Sequence, residues 1–523
     1  MSVVEHITKA PFASRRLRIS PRFAFVGLNL AIALAVFAAF VLSVDHWNVA
    51  ALLISVLTLV NAIWISGGAA TAILGLFVPT KRAVAAPEAW QPQGKTAILI
   101  TLCGEAPAPV AAYLQGFGRA LSKAILTHQT EIFVLSDTRG DERIRMEEEA
   151  LQPLIDAGLV TYRRRQVNTD KKPGNIADWM NTHGDRFAYM VVKDADSRMT
   201  ASSIKEMIWR MEQRPSLGLL QAGIALIPGR TRFGRHQRIA SHLLSRNFGR
   251  GFAAWSGDTG NYWGHNAIIR VAAFHEAVPL PRLPGGAPLG GAILSHDFVE
   301  AAWMRRAGWD IEVAPDIQGS AEDAPQTLGE YFRRDRRWCQ GNLQHLRLLG
   351  QPGLHWLSRF HFVTGIFSYV AGPIWLILVA FLSAGVISVS GFAPVLLVAA
   401  TLLAPKICAL IDLLPKARTW ARRGVILRAS LAELVVSALI APLILLRHAM
   451  AVCAILMGRD CGWKSGRQSG LHIPSGLVEC GVGLLIFTFA LTSGIAGAPW
   501  LALVYLPLMS APVLVPSLDR IVS

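Results

Sequence analysis

Apolar positions are distributed along this chain in two modes. Near either end they run together without charge; between roughly residues 81 and 360 they come as short bursts separated by amphipathic stretches. Phe23 to Ser43 is uncharged over about 21 residues, enough to cross a bilayer as a helix at about 1.5 Å per residue. A polar hinge, Asp45 to Asn48, leads into a second run, Val49 to Val78, closed by Lys81 and Arg82, and a Pro-rich linker, Ala83 to Gly94, follows. The middle section predicts strands at Thr96 to Leu102, Glu131 to Leu135, Leu159 to Arg163, Tyr189 to Lys193, Leu217 to Gln221 and Ala267 to Arg270. Val110 to Thr127, Glu142 to Ala157, Gly174 to His183 and Ser202 to Gln213 read as helices between them. Alternation of this kind predicts an α/β domain with a mixed, largely parallel sheet.

Beyond Gly353 the charge thins again. Leu354 to His361 suits a helix lying in a membrane interface. Phe362 to Ile387 and Phe392 to Leu414 read as spans joined by a short outer loop, Ser388 to Gly391. Ala429 to Met457 is apolar but interrupted by Pro442, Arg447 and His448, with basic residues beyond both ends, so a re-entrant or interfacial element is expected. Leu477 to Ser493 and Pro499 to Val515 bring the total to about six spans. The expected layout is a membrane-anchored segment at 1–82, the α/β domain at 95–350 and a second membrane section at 351–523.

Composition agrees with that layout. Of the 523 residues 52% are hydrophobic and 16% charged, a membrane-protein balance. A net charge of +16 invites a nucleic-acid reading, but no nucleic-acid-binding signature is present. The basic residues cluster instead beside apolar runs, as in Arg15, Arg16, Arg18 and Arg22, and again in Arg418, Arg422 and Arg423. Positive flanks are expected in the cytoplasm against anionic lipid, which puts the middle domain there too. Six scattered cysteines without a CxxC pair imply neither disulfide nor zinc. The first apolar run is too long for a signal peptide's core.

Candidate chemistry gathers around MVVKDADSRM, Met190 to Met199, where an apolar run ends in Asp194 and Asp196. At the carboxyl end of a parallel strand such acids sit where open α/β sheets bind ligands. A hard divalent cation is held there by one or two carboxylates plus substrate phosphates; a capped turn is the plainer reading. Glu105 and Asp137 end the first two strands in TLCGE and VLSD, as pocket-rim acids or helix caps. In TDKKPGN, Pro173 and Gly174 suggest a turn opening a helix, with Lys172 aimed at a phosphate or at solvent. GNYWGHNAIIR offers Tyr262, Trp263 and His265, and Trp255 precedes it, aromatics in a polar, Gly-rich setting that suits sugar stacking as well as packing. Asp297, in ILSHDFVEAA, is either a helix N-terminal acid or a general base. On the helix predicted for YFRRDRRWCQGNLQH, Arg334, Arg337 and Trp338 share one face. Guanidinium forks there suit a diphosphate.

These pieces in this order resemble the processive membrane glycosyltransferases of family 2, the group containing cellulose and hyaluronan synthases. The resemblance rests on Asp137, the Asp194–Asp196 pair, Asp297 at the position of the base in T-E-D, and Arg337 with Trp338 in Q-x-x-R-W. Lys172 falls in the K-A-G-N turn, written K-P-G-N here, and Glu105 in the first-strand N-E pair, where Gly104 replaces Asn. His296 replaces the Glu of T-E-D and Arg334 the Gln of Q-x-x-R-W. With those changes the chain is similar, over roughly residues 15 to 515, to the subfamily that builds the β-1,2-linked backbone of osmoregulated periplasmic glucans.

The resemblance implies a GT-A-type domain inserted between transmembrane helices, inverting transfer from UDP-glucose, and residence in the bacterial inner membrane. It implies that Mg²⁺ (or Mn²⁺) binds Asp196 with Asp194, and that Glu105, Asp137, Lys172 and Asp194 contact the nucleotide. Asp297 would be the base, Arg334 and Arg337 would hold the diphosphate, and Trp338, Trp263, Tyr262 and His265 would hold the acceptor. GWKSGRQ, Gly462 to Gln468, falls where related synthases keep a gating loop. Implied partners are the growing glucan, membrane lipid, acyl carrier protein and a periplasmic glucan-biosynthesis protein. Transfer to a lipid carrier, a different β-glucan product, and a transporter with a nucleotide-sensing domain stay open as alternatives.

Overall fold

The structure, a computed structural model, describes residues 20–79, 86–87, 89–124, 126, 128–461, 476–494 and 499–522. Gly462 to Gln468 therefore lies outside the described residues. Two apolar helices come first, α1 (Pro21–Leu42) and α2 (Val49–Phe77). The α/β domain follows as β1 (Thr96–Leu102), α3 (Pro107–Lys123), β2 (Thr130–Ser136), α4 (Asp141–Asp156), β3 (Thr161–Arg164), α5 (Lys171–His183) and β4 (Tyr189–Asp194). It continues through β5 (Arg198–Met199), α6 (Ala201–Gln213), β6 (Leu217–Ala222), β7 (Ala225–Leu226), α7 (Arg232–Ser256) and β8 (Ala267–Arg270). Short helix α8 (Val271–Ala277), α9 (His296–Arg306), β9 (Asp310–Ala314), β10 (Ser320–Glu322) and α10 (Leu328–Gln344) complete it.

Seven strands form the main sheet in the order β3-β2-β1-β4-β8-β6-β9, with β8 antiparallel to both neighbours and the remaining pairs parallel. Strand alternation sends side chains into two cores. Ile98, Ile100, Ile132, Val134 and Val191 pack on one face; Ala97, Leu99, Phe133, Leu135, Met190 and Val192 pack on the other. A sheet covered on both faces needs apolar residues at every position, which is why its strands read as unbroken apolar runs. Register sets Thr101 opposite Asp194, and Leu102 opposite Ser136. The ends of β1, β2 and β4 are therefore level and form one rim. A second sheet has three strands in the order β5-β10-β7, and β5 follows β4 after a short turn.

The remaining helices are α11 (Trp356–Ser383), α12 (Ala393–Leu413), α13 (Trp420–Leu456), α14 (Leu477–Thr492), α15 (Pro499–Met509) and α16 (Ala511–Asp519). Among the described residues five helices are long and apolar enough to cross a membrane: α1, α2, α11, α12 (through Lys416) and α13. The loop between α1 and α2 bonds the loop between α11 and α12, with Asp45 N donating to Ser388 O at 3.1 Å and Ser390 N to Ser43 O at 2.8 Å. At their other ends, Arg250 on α7 donates to Gly75 O in the last turn of α2 and to Asp412 on α12 at 2.7 Å. The four helices thus run from one shared tip to the α/β domain.

Three expectations need correction. Leu354 to His361 is not a separate interface helix, because its last residues are the first turns of unbroken α11. Pro499 to Val515 is not one straight helix but α15 and α16, bent by 68°, which make a sixth span only if the bent pair is counted as one. Ala429 to Leu456 lies within α13, one helix of 37 residues that carries Pro442 inside it and ends just before Met457. Although apolar enough to span, α13 lies against the domain's own helices: His448 Nε2 is 2.7 Å from Asp335 of α10, and Ala451, Val452 and Ile455 pack with Cys339 and Leu343. Arg447 and His448 do not interrupt it because each has an acidic partner, Glu479 and Asp335.

Candidate active site

The turn after β4 presents two acids in different states. Asp194 is met by Lys172 Nζ, which also donates to Gly264 O at 2.7 Å, and by Thr101 Oγ1 at 3.1 Å. Burial alone would raise its carboxyl, but Lys172, His265 and the Thr101 hydroxyl outweigh burial and hold it well below the usual carboxylate range. Asp196 faces outward. The surrounding protein, and then the charge of Asp194, raise its carboxyl above the ordinary value. Lys172 thus neutralises Asp194, rather than reaching outward for a phosphate, and Asp196 is the exposed acid of the two. Helix α5 already begins at Lys171, so K-P-G-N forms its first turn and not a loop before it.

Two carboxylates in this arrangement fit a hard cation that takes its remaining ligands from substrate phosphates. Among the described residues no group of three or more His, Cys, Asp and Glu is arranged to hold an ion by itself.

Behind the turn, Lys193 has no exposed surface. Its ammonium meets the Tyr113 hydroxyl and lies 4.2 Å from the centre of that ring, while the hydroxyl bonds both N and O of Met199 at 3.1 Å. Tyr113 thereby ties both ends of the Asp194–Met199 segment together.

Along the rim, Glu105 accepts from Cys103 N, and Gly104 N donates to Thr138 Oγ1 at 2.9 Å, so the first two strand ends are joined. Asp137 does not offer a free carboxylate. It is buried and takes both arms of the Arg165 fork at 2.8 Å. Arg165, with Thr138, Arg139, Arg164 and Gln166, lines a cavity of about 450 Å³. Asp137 is therefore committed to Arg165, a residue the motif did not point to.

Asp297 stands in the first turn of α9 across from the same cluster. A Cβ built on Gly264 (φ +84°) would lie 3.5 Å from Asp297 Oδ2. Gly264 is thus the link between the Lys172–Asp194 pair, through its carbonyl, and Asp297. Burial raises the Asp297 carboxyl; neighbouring His296 opposes that and Glu300 adds to it. His296 Nδ1 is 3.0 Å from Glu300, a fully buried residue one turn along. The acidic group that T-E-D carries beside the base therefore stands four residues later here, coupled to a histidine.

Helix α10 makes the third wall. Arg334 lies with its guanidinium carbon 4.5 Å from the centre of the Trp338 ring, and Trp338 is 44% exposed. Burial pushes the Arg337 guanidinium below its usual value, and the charges of Arg334 and Arg333 nearby add to that. The same helix secures Asp297. Gln344 Oε1 accepts from Leu294 N at 2.9 Å, and His345 Nε2 is 2.9 Å from Ser295 O. A Cβ at Gly341 would stand 2.3 Å from Ser295 Oγ, so only glycine lets α10 lie this close.

The aromatic run is corrected in part. Tyr262 has no exposed surface and belongs to the main core, so it cannot touch an acceptor. Trp255 is buried on α7, stacked on Phe25 at 4.5 Å between ring centres. His265 is also buried, with Nε2 3.1 Å from Glu322 and Nδ1 3.1 Å from Ser197 Oγ; its role is internal. Trp263 alone of these keeps a part-exposed side chain.

Residues 189–404 match the family model described as glycosyl transferase family group 2. The glucans biosynthesis glucosyltransferase H of Vibrio cholerae is 40% identical over 451 residues, covering 80% of this chain and 62% of its own length. That of Shewanella sp. (strain ANA-3) is 37% identical over 495 residues, covering 88% of this chain and 68% of that protein. The chain belongs to the glucans biosynthesis glucosyltransferase H family. It spans 62% of the length of the Vibrio relative. Its architecture is the one that family 2 membership implies, a GT-A-type α/β domain flanked by apolar helices. Among solved structures, a mannosyltransferase from Pyrobaculum calidifontis in complex with GDP-Man and Mn²⁺ is 14% identical with a TM-score of 0.45, covering 73% of this chain and 97% of that one.

Proposed function

We propose that the chain is a membrane-embedded, inverting glucosyltransferase that uses UDP-glucose to extend a β-1,2-linked glucan and passes it across the inner membrane. The observation that carries this reading is the convergence at one sheet rim of an outward Asp196, an Asp297 with a raised pKa and an arginine–tryptophan helix, set directly on apolar helices. The uridine would occupy the cavity beside Arg165, with Glu105 at its edge, and the diphosphate would lie between Asp196 and Arg337. Bound at Asp196, Mg²⁺ or Mn²⁺ would supply Lewis-acid neutralisation of charge on the departing UDP. Asp297 takes the proton of the acceptor hydroxyl while that oxygen attacks the anomeric carbon from the face opposite the leaving group. Arg337 and Arg334 hold the diphosphate as its charge grows. Trp338, with Trp263, offers the acceptor sugar an aromatic face.

Purified protein in proteoliposomes, given labelled UDP-glucose, UDP-galactose, UDP-N-acetylglucosamine or GDP-mannose, tests donor choice. Polymer from UDP-glucose alone supports the reading, and preference for another donor overturns its substrate.

Proton uptake by Asp297 also sets a pH dependence. A carboxyl with a raised pKa is protonated, and useless as a base, up to a higher pH than an ordinary aspartate, so kcat/KM falls on the acid side earlier than a free aspartate would allow. His296→Gln removes the opposing cation and moves that limb to higher pH; Glu300→Gln moves it to lower pH. A pH–rate profile of the three proteins checks the order.

A further inference from the structure

Arg334 carries a positive charge where the family pattern has neutral Gln, and the fold provides that charge with a partner. We infer that Glu322, shared between His265 and Arg334, is a positioning residue that fixes the Arg334–Trp338 face of α10 against the Asp194–Asp196 turn; this deepens, and rests on, the glycosyl-transfer reading above. Glu322 ends β10, which pairs with β5 immediately after the turn, Ser320 opposite Met199 and Ala321 opposite Arg198. Its Oε2 lies 3.1 Å from His265 Nε2 and 3.6 Å from Arg334 Nη2. The other nitrogen of His265 is 3.1 Å from the buried Ser197 Oγ, inside the turn itself. Asn266, next in sequence, donates to Ser320 Oγ at 3.0 Å and Ala321 O at 3.2 Å and keeps the two segments in register. A continuous set of contacts therefore runs from the turn through Ser197, His265 and Glu322 to Arg334 and Trp338.

The two distances assign different tasks. At 3.1 Å, between largely buried groups, the histidine contact is a directional bond that holds Glu322 still. At 3.6 Å the arginine contact is electrostatic and lies outside good hydrogen-bond range. Arg334 is thus oriented without being locked and can turn toward a diphosphate without losing a directional bond. Without Glu322, its guanidinium would be drawn further toward Asp196, which it already faces electrostatically, and would compete with the cation for it.

The test is a double-mutant cycle of wild type, Glu322→Gln, Arg334→Gln and the double variant in proteoliposomes, read by kcat, donor KM and the metal concentration at half-maximal rate. Glu322→Gln is expected to raise donor KM and the half-maximal metal concentration by about tenfold, and the double variant to be no worse than Arg334→Gln alone, a coupling of about tenfold. Glu322→Asp, which keeps the charge, should restore most of the loss. Losses that multiply independently, or a Glu322→Gln protein with unchanged donor and metal dependence, overturn the inference. If Glu322→Gln fails to fold, the comparison of Glu322→Asp with Glu322→Asp/Arg334→Gln replaces it, under the same criterion. A wild type that transfers no sugar overturns the catalytic reading; the same cycle in melting temperature, which needs no turnover, still reports whether Glu322 and Arg334 are coupled.

Discussion

Asp297→Asn should reduce glucose transfer by about 10²–10⁴-fold, the range for a positioned general base, while nucleotide binding survives. The substitution is nearly isosteric, and the first turn of α9 does not depend on the charge: Gln344 at the end of α10 and His345 just after it hold Leu294 and Ser295 through backbone groups. Only the capacity to take a proton is lost. The residue lies beside Gly264, and Gly264 O accepts from the lysine that neutralises Asp194, so the base and the nucleotide-side acid share one glycine. Labelled-UDP binding and glucose incorporation, measured on the same membranes, separate the two effects. Equal incorporation by wild type and variant would remove Asp297 from its assigned role.

Asp196→Asn should have an effect of similar size by a different route. With Asp194 held by Lys172, Asp196 is the exposed acid and the proposed cation ligand, and loss of a Lewis acid worth several kcal/mol corresponds to about 10³-fold or more in rate. Its signature is a half-saturating metal concentration raised beyond the working range, with UDP-dependent Mn²⁺ binding lost in electron paramagnetic resonance. Asp194→Asn should behave differently, releasing Lys172 and disturbing Gly264 as well. Identical metal titrations for wild type and Asp196→Asn would contradict the assignment.

Much of the domain was legible because of how its sheet is buried. A sheet with cores on both faces leaves strands as plain apolar runs, and all six expected strands are present, with ends shifted by one or two residues at most in most cases. Strands β5, β7 and β10 were not legible, since two or three residues carry no period. The longest miss is α7. No element was assigned to that stretch, and its glycines let the helix lie against the apolar helices: a Cβ at Gly251 would stand 2.0 Å from Thr71 O. For Trp255, where the sequence left sugar stacking and packing open, the structure shows packing.

Within the site, Asp194, Asp196, Asp297, Arg337 and Trp338 were visible because each sits at an element end or on one helix face. Arg165, Lys193, Glu322 and Gly341 were hidden because their roles come from partners distant in sequence: Arg165 and Asp137 are 28 positions apart, Lys193 and Tyr113 80. Tyr262 shows the converse error, since a polar, glycine-rich neighbourhood in sequence became a packed core in space.

The most direct test of the central claim is the product itself. Purified protein in sealed proteoliposomes, with UDP-glucose and Mg²⁺ outside, should convert label into a polymer whose linkage analysis and anomeric NMR signals show β-1,2-linked glucose. A polymer with α anomeric configuration, or no polymer with metal and acceptor supplied, would contradict it.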